Sequence, residues 1–337
     1  MTSIAPTTAT APQGTGSTAG QHGAAWLPVP DGSLGPVIPE RGYLVEEIRD
    51  GLYWITEGMY QCAFMVTGQG VIAVDAPPSI GGRVTKAIRS VTDEPVTHVV
   101  YSHSHGDHIG TADQFPADAI RIGHAETKKW LDRLRDPRRK PPDITFEDSY
   151  TLEVGGQALQ LDYRGGNHAL GNIFIHAPRQ RALMIVDVFY PGWVPFACLG
   201  LCRDIPGFVD HHDYALEYDF DTLISGHLTR LGRRQDIEIQ REYVTDLRRE
   251  ALRALAEVDQ LPSWQYVHNV YGMFTNYFNK IAAQVAEELR PKWQGRLAGV
   301  DFFLHNHAFI MLEALRVDWN AEPFVVLPPP SLILRED

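Results

Sequence analysis

A six-residue stretch rich in metal-binding side chains constrains the fold of this 337-residue chain more than any other feature. It reads His103-Ser104-His105-Gly106-Asp107-His108 and directly follows the apolar run 96–101, which is typical of a β-strand. On an α-helix, side chains two positions apart would point about 200° apart, so the spacing favours a turn that wraps around metal ions. Imidazole nitrogens and a carboxylate together form a ligand set that suits zinc. The stretch therefore predicts a metal-binding turn at the end of a strand.

Three further candidate ligands follow later in the chain. His168 comes after a Gly-Gly-Asn sequence, Asp187 ends an apolar run, and His227 lies just beyond another strand-like run. Together with the first stretch they resemble the metallo-β-lactamase superfamily, whose signature is H-x-H-x-D-H followed by a distant His, an Asp and a final His. The resemblance extends over residues 43–231, more than half of the chain.

The resemblance implies both a fold and a set of metal ligands. The implied fold is of the α/β class, a four-layer αββα sandwich in which two sheets are flanked by helices. Short strand-like runs with interspersed helical runs along residues 44–186 agree with this expectation. The implied ligands surround two metal ions. The family pattern assigns His103, His105 and His168 to one ion, Asp107, His108 and His227 to the second, and Asp187 to both.

Two Zn²⁺ ions are the expected cofactors, although iron, manganese or cobalt could occupy the same nitrogen and oxygen donors. Two carboxylates are reasonable in such a site, because neutral imidazoles alone would leave most of the dication charge uncompensated. Metals about 3.5–4 Å apart can share a hydroxide, and zinc lowers the pKa of bound water from about 15.7 to about 7. A nucleophile at neutral pH then needs neither serine nor cysteine.

These features predict a metal-dependent hydrolase in which a bridging hydroxide attacks the carbonyl carbon of a lactone or ester. Asp107 is expected to pass a proton to the leaving oxygen. Tyr190 lies three residues after Asp187, and lactonases of the superfamily carry a tyrosine at the same offset. Its phenol could donate a hydrogen bond to the developing oxyanion. Asp107 and Tyr190 are thus the candidate catalytic residues, and a small hydrophobic carbonyl compound is the expected substrate.

Several alternatives within the superfamily stay open. A glyoxalase II-type thioester hydrolase shares all seven ligands but needs a cationic clamp for glutathione, whereas the C-terminal region is dominated by aromatic residues. An iron-dependent persulfide dioxygenase ranks next, followed by a β-lactamase, which usually lacks a bridging carboxylate like Asp187. A metal-binding protein without catalysis is the alternative outside the enzymes, and turnover that disappears on chelation would exclude it.

Composition divides the chain into three parts. Residues 1–24 contain no Asp, Glu, Lys or Arg and predict a disordered tail, residues 25–234 the catalytic domain, and residues 235–337 a helical appendage. Within this appendage, Ser263 is the expected cap of a helix. The apolar segment 191–202 is a candidate substrate-gating loop or homodimer contact, and the appendage is a candidate wall of the substrate pocket or homodimer contact.

Two expectations concern the surroundings of the site. Asp75 ends the strand-like run 71–74 and is expected to support the metal-binding turn through hydrogen bonds. His211 and His212 are expected just before a helix, with a smaller chance of lining the pocket.

Charge and cysteine content exclude several classes of partner. The net charge of −12 argues against a general nucleic-acid binder. Three cysteines without a C-x-x-C pair imply no disulfide framework and fit a reducing compartment. No apolar stretch has the length of a membrane span, and the N-terminus lacks the features of a signal peptide. We therefore expect a cytoplasmic protein with a small-molecule substrate and neither a membrane nor a nucleic-acid partner.

Overall fold

Two β-sheets form the centre of the computed structural model, which describes residues 27–228, 230–259 and 261–319. The predicted disordered tail, residues 1–24, lies outside the described residues. The seven strands of the first sheet follow one another in chain order. They are β1 (Leu44–Arg49), β2 (Leu52–Thr56), β3 (Gln61–Val66), β4 (Val71–Val74), β5 (Val96–Val100), β6 (Ile120–His124) and β7 (Ile144–Phe146).

This first sheet is antiparallel from β1 to β4 and parallel from β4 to β7. Every residue of β4 is buried, as expected for an apolar strand whose two faces are both covered. Parallel pairing of β4 with β5 brings their carboxyl ends to the same edge of the sheet. The metal-binding stretch follows β5 at that edge.

The second sheet contains five strands in the order β12-β11-β10-β9-β8. Its strands pair antiparallel except for β11 and β12, which are parallel. The parallel pair again brings two carboxyl ends together. The strands are β8 (Ser149–Val154), β9 (Gln157–Asp162), β10 (Phe174–Ala177), β11 (Ala182–Met184) and β12 (Thr222–Ile224).

Helices cover the outer faces of both sheets. One cluster of buried apolar side chains lies between the sheets and joins Ile72 and Val100 to Leu161 and Met184. Two more clusters pack the first sheet against α1 and α3, and the second sheet against the later helices. The predicted four-layer αββα sandwich is therefore confirmed. The helical segments are α1 (Arg83–Arg89), α2 (Gly106–Ile109), α3 (Ala125–Leu134), α4 (Ala197–Leu201), α5 (Ile205–Glu217), α6 (Arg234–Glu257), α7 (Val270–Trp293) and α8 (Val300–Val317).

The helical C-terminal region is confirmed as α6, α7 and α8. Tyr243 of α6, Trp293 of α7 and Leu312 of α8 belong to the same buried cluster as Leu223 of β12. The three helices thus extend the outer layer of the second sheet and share its core.

The predicted cap of the second helix in this region is wrong. Ser263 lies in the 3₁₀ segment Leu261–Tyr266 and donates a hydrogen bond to Asn276 Oδ1 at 3.0 Å. The helix α7 is capped instead by Asn269, whose side chain accepts a hydrogen bond from the Gly272 amide at 3.0 Å.

The expected position of His211 and His212 before a helix is also wrong. Both residues are buried inside α5, which begins earlier than the sequence pattern indicated. Asp204 caps this helix by accepting a hydrogen bond from the Gly207 amide at 2.9 Å. A proline at the first turn, Pro206, needs no hydrogen-bond acceptor there and so favours the early start.

Across the described ranges of the chain, no helix is both long enough and apolar enough to cross a membrane.

Candidate metal centre

The seven predicted ligands come from loops that meet at one edge of the sandwich. The first stretch follows β5, and His168 lies in the connection between β9 and β10. Asp187 follows β11, and His227 follows the adjacent β12. Strand ends therefore supply most of the ligands, as in other sites at the carboxyl ends of parallel strands.

The first stretch is only partly the turn that its spacing predicted. His103 and His105 are in the non-helical segment after β5, whereas Asp107 and His108 lie on α2, a single helical turn. His105 has extended backbone angles, φ −69° and ψ 142°, and α2 begins directly after it. Because the backbone changes from extended to helical at Gly106, His103 and His105 belong to one group of candidate ligands, and Asp107 and His108 belong to another.

The structure brings all seven side chains into two groups that share Asp187. In each group, one nitrogen or oxygen atom per side chain lies within 4.8 Å of the others. The groups have the same membership as the resemblance implied. They consist of His103, His105, His168 and Asp187 and of Asp107, His108, Asp187 and His227.

The carboxylate of Asp187 lies between the two groups. Its Oδ2 atom is 3.1 Å from His168 Nε2 and 3.2 Å from His108 Nε2. Its Oδ1 atom is 2.8 Å from His227 Nε2. One buried carboxylate thus faces histidines of both groups, which is the geometry required of a ligand that bridges two cations.

Contacts between imidazole nitrogens test whether these residues fit a metal. His168 Nε2 lies 2.8 Å from His105 Nδ1, and His108 Nε2 lies 3.1 Å from His227 Nε2. The Nε2 atom of His103 is buried without a hydrogen-bond partner among the described residues. Nitrogen lone pairs that converge in this way, next to a carboxylate, fit divalent metal ions such as zinc.

The charges of the site favour metal binding. Burial, with the neighbouring His105 and His108, holds the pKa of His103 well below its usual value. Burial and the nearby His168 lower the pKa of His105 to about 4. Both imidazoles are therefore neutral at pH 7, and their lone pairs are available.

Two other groups in the site carry charge. Burial alone would lower the pKa of His108, but the carboxylates of Asp187, Asp107 and Asp75 raise it to about 9. Burial would raise the pKa of Asp187, but the neighbouring histidines hold it well below its usual value. Asp187 is thus ionised, and the carboxylates that raise the pKa of His108 provide negative charge that a bound cation would neutralise.

Hydrogen bonds from outside the two groups orient the histidines. Ser102 Oγ lies 2.9 Å from His103 Nδ1. His168 Nδ1 lies 2.6 Å from the carbonyl oxygen of Gly200. Asp75, buried and expected to support the turn, accepts a hydrogen bond from the Ser102 amide at 2.9 Å. Such outer contacts fix the tautomer and ring orientation of metal-binding histidines.

A cavity of about 600 Å³ opens directly onto the two groups. Aromatic and aliphatic side chains form most of its wall, and the described lining residues include no Lys or Arg. The segment 191–202 and the start of α8 supply much of this wall. The apolar wall consists of Met59, Tyr60, Tyr190, Trp193, Val194, Phe196, Leu201, Leu228, Phe302 and Phe303.

Tyr190 lies in this wall, and its hydroxyl group already has a partner. It donates a hydrogen bond to the carbonyl oxygen of Asp187 at 3.2 Å. Burial, followed by the charge of Asp187, raises its pKa well above the usual value, so the phenol keeps its proton.

Tyr60 is a residue of the site that sequence reasoning missed. Its hydroxyl group donates a hydrogen bond to Asp107 Oδ2 at 3.3 Å, and its ring centre lies 4.4 Å from that of His227. Burial and the charge of Asp107 raise its pKa to about 12. Tyr60 also forms an isolated β-bridge with His227, a contact between distant segments that no local sequence signal reveals.

Comparison with known proteins identifies the family. A sequence model described as the metallo-beta-lactamase superfamily matches residues 55–227, just over half of the chain. The chain belongs to the metallo-β-lactamase superfamily. Members of this superfamily are mostly metal-dependent hydrolases, and the two His/Asp groups of this member are a candidate divalent metal site.

Among curated proteins, this superfamily member is similar to 2,4-dinitroanisole O-demethylase subunit alpha of Nocardioides sp. (strain JS1661). The two chains are 26% identical over 259 residues, which are 72% of this chain and 77% of the relative. A metallo-beta-lactamase type 2 of Elizabethkingia meningoseptica is 24% identical over 156 residues, which are 42% of this chain and 59% of the relative.

Solved structures support the same fold. The metallo-beta-lactamase IND-7 matches with a TM-score of 0.51 and 18% identity, over 60% of this chain and 98% of that one. A metallo-beta-lactamase from Pontibacter korlensis matches with a TM-score of 0.50 and 17% identity, over 59% of this chain and 97% of that one.

Proposed function

We propose that this chain is a metal-dependent hydrolase that cleaves a lactone or ester bond in an apolar, preferably aromatic, substrate. The observation that carries the proposal is the opening of the two His/Asp groups onto a cavity with an aromatic wall. Pockets of this kind bind through apolar contact and use a few polar groups to orient the reacting bond.

The seven side chains of the site would hold two divalent ions, for which zinc is our first choice and iron, manganese or cobalt are alternatives. Bound there, such a metal pair supplies a water of lowered pKa and polarises the substrate oxygen. His103, His105 and His168 would hold one ion, Asp107, His108 and His227 the other, and Asp187 both.

Asp107 is the carboxylate best placed to move a proton. Its side chain is 46% exposed and lines the cavity, whereas the side chain of Asp187 is 4% exposed. The hydrogen bond from Tyr60 fixes the orientation of the Asp107 carboxylate. In our proposal Asp107 takes a proton from the attacking water and delivers it to the leaving oxygen, and Tyr190 turns its hydroxyl group from the Asp187 carbonyl to the substrate oxygen.

The wall of the cavity disfavours a glutathione thioester as the substrate. Lys292, a cation of the C-terminal region, contacts Asp246 at 2.5 Å and Glu242 at 2.7 Å. Arg296 contacts the same Glu242 at 2.5 Å. Neither cation is among the lining residues, so an uncharged substrate fits the wall better.

Hydrolysis of an aromatic methyl ether is the second candidate function. The similarity to the O-demethylase subunit extends over 72% of the chain, and the aromatic wall suits a flat ring. In this reaction water would replace the methoxy group on the ring, and methanol would leave. The positions of Asp107 and Tyr60 serve this departure of an oxygen as well as that of an ester oxygen.

A hydrolysis panel on zinc-loaded protein tests the proposal. The panel contains an aromatic lactone, a 4-nitrophenyl ester, a thioester, a β-lactam and 2,4-dinitroanisole, each assayed before and after chelation. We expect chelator-sensitive turnover of the lactone or ester, lost in Asp187→Asn and kept in His305→Ala, which changes an exposed histidine outside both groups. Turnover of dinitroanisole alone would favour the ether, turnover of the thioester alone would favour the glyoxalase II-type alternative, and turnover of no substrate would contradict the proposal.

A further inference from the structure

The α4 segment beside the cavity has an unusual backbone. Four consecutive residues have left-handed φ angles, and three of them are not glycine: Cys198 at 55°, Leu199 at 54°, Gly200 at 80° and Leu201 at 55°. Side chains of L-residues disfavour this conformation, which persists only where surrounding contacts fix it. We call these four residues the left-handed turn.

Two residues of α8 provide those contacts. The Asn306 side chain accepts a hydrogen bond from the Cys198 amide at 2.6 Å, and its Nδ2 atom lies 3.8 Å from Cys198 Sγ. His307 Nε2 donates to the carbonyl oxygen of Phe196 at 3.1 Å. Tyr243 of α6 donates to His307 Nδ1 at 2.8 Å, which sets the tautomer of that histidine.

The left-handed turn in turn contacts the candidate metal centre. The carbonyl oxygen of Gly200 accepts a hydrogen bond from His168 Nδ1 at 2.6 Å. The Nε2 atom of the same ring is thereby left facing Asp187, 3.1 Å from its carboxylate. A Cβ atom on Gly200 would lie 2.6 Å from Tyr190 Oη, so the turn also packs closely on the predicted catalytic tyrosine.

We propose that Asn306 is a positioning residue for the metal centre. It fixes the left-handed turn, and the carbonyl oxygen of Gly200 then fixes the tautomer and orientation of His168. Phe196 and Leu201, at the two ends of the same segment, line the cavity. One segment held by the C-terminal helices therefore joins the substrate wall to a metal ligand. The inference rests on the metal site of the proposed function.

Zinc binding by Asn306 variants tests this inference without any assay of activity. Affinities are measured by competition with a chromophoric chelator, and the geometry of the site by the visible spectrum of the cobalt-loaded protein. We expect Asn306→Ala to lower the affinity for one of the two zinc ions by about tenfold and to change the cobalt spectrum. A tenfold loss is at the low end of the effect of removing a contact that orients a metal ligand. Asn306→Asp keeps an acceptor for the Cys198 amide and should restore both the zinc affinity and the cobalt spectrum. His305→Ala should match the wild type in both measurements.

Wild-type zinc affinities and an unchanged cobalt spectrum in Asn306→Ala would overturn the inference and leave the proposed function standing. Absence of zinc binding by the wild type would overturn both. If Asn306→Ala does not fold, Asn306→Leu takes its place, because leucine has a similar volume but no acceptor for the Cys198 amide. Weaker zinc binding in Asn306→Leu would support the inference, and wild-type zinc affinities would overturn it.

Discussion

At the scale of single residues, the two tyrosines of the cavity differ in the partners of their hydroxyl groups. Tyr60 donates to Asp107 Oδ2, a carboxylate in the cavity wall, whereas Tyr190 donates to the carbonyl oxygen of Asp187. The sequence indicated only Tyr190, through its offset from Asp187. The structure adds Tyr60 as a second phenol beside the reacting groups.

Tyr60→Phe is expected to lower kcat/KM about tenfold. The substitution keeps the ring but removes a hydrogen bond to a charged group, which contributes about 1.5 kcal/mol. Steady-state kinetics on protein of verified metal content provide the measurement. Unchanged kinetics would show that Asp107 needs no help from the phenol.

Tyr190→Phe is expected to lower kcat by about 100-fold, because removal of one donor to an oxyanion has an effect of this size. KM should change little, since the donor acts mainly in the transition state. A variant with wild-type kcat/KM would remove Tyr190 from the catalytic residues and leave it as a wall residue.

At the scale of elements, the left-handed turn in α4 depends on a glycine at position 200. Gly200→Ala would add a Cβ atom 2.6 Å from Tyr190 Oη, at a residue with a φ of 80°. Gly68→Ala is a matched control, because Gly68 has a φ of 81° but nothing within 4 Å of the added atom. We expect Gly68→Ala to lower the free energy of unfolding by about 1–2 kcal/mol from backbone strain alone.

Gly200→Ala should lower the free energy of unfolding by clearly more than Gly68→Ala does, because Tyr190 must also move. Urea unfolding of both variants provides the comparison. Equal losses in the two variants would mean that Tyr190 yields to the added atom without cost.

Elements were predicted well where hydrophobic periodicity was strong and less well where capping determined the boundaries. The strands around the first metal-binding stretch and the long C-terminal helices followed from their apolar patterns. The start of α5 was missed, although Asp204 followed by Pro206 is a local signal of a capped helix start. The cap of α7 was predicted at Ser263, whereas Asn269 caps the helix; serine and asparagine are both good capping residues, so residue type alone does not fix the start.

At the scale of the whole molecule, the site was predictable to the extent that it follows a linear motif. The seven proposed ligands were implied by the resemblance to the superfamily motif, and the structure brings all of them together. Tyr60, Asn306 and the left-handed turn were not found. Their roles depend on contacts between segments far apart in the chain, such as the 108 residues that separate Cys198 from Asn306.

The whole molecule is also expected to lose stability in acid through its buried histidines. Burial lowers the pKa of His212 and of His307 to about 4. An unfolded histidine has a pKa of about 6.5, so between about pH 6.5 and pH 4 the unfolded chain takes up protons that the folded chain does not. The free energy of unfolding should therefore fall across this window, by about 3 kcal/mol for each group.

Urea unfolding at several pH values measures this loss. His212→Leu removes one titrating group and should show a shallower dependence on pH, even if the variant is less stable throughout. His305→Ala, at an exposed position, should keep the wild-type dependence. An unchanged slope in His212→Leu would show that His212 does not contribute.

The metal stoichiometry of the purified, zinc-reconstituted chain tests the central claim most directly. Two groups that share one carboxylate predict two zinc ions per wild-type chain and per His305→Ala chain, and at most one per Asp187→Ala chain. Elemental mass spectrometry after removal of free metal gives these numbers. A wild-type chain without zinc, or an Asp187→Ala chain that keeps both ions, would contradict a metal centre bridged by Asp187.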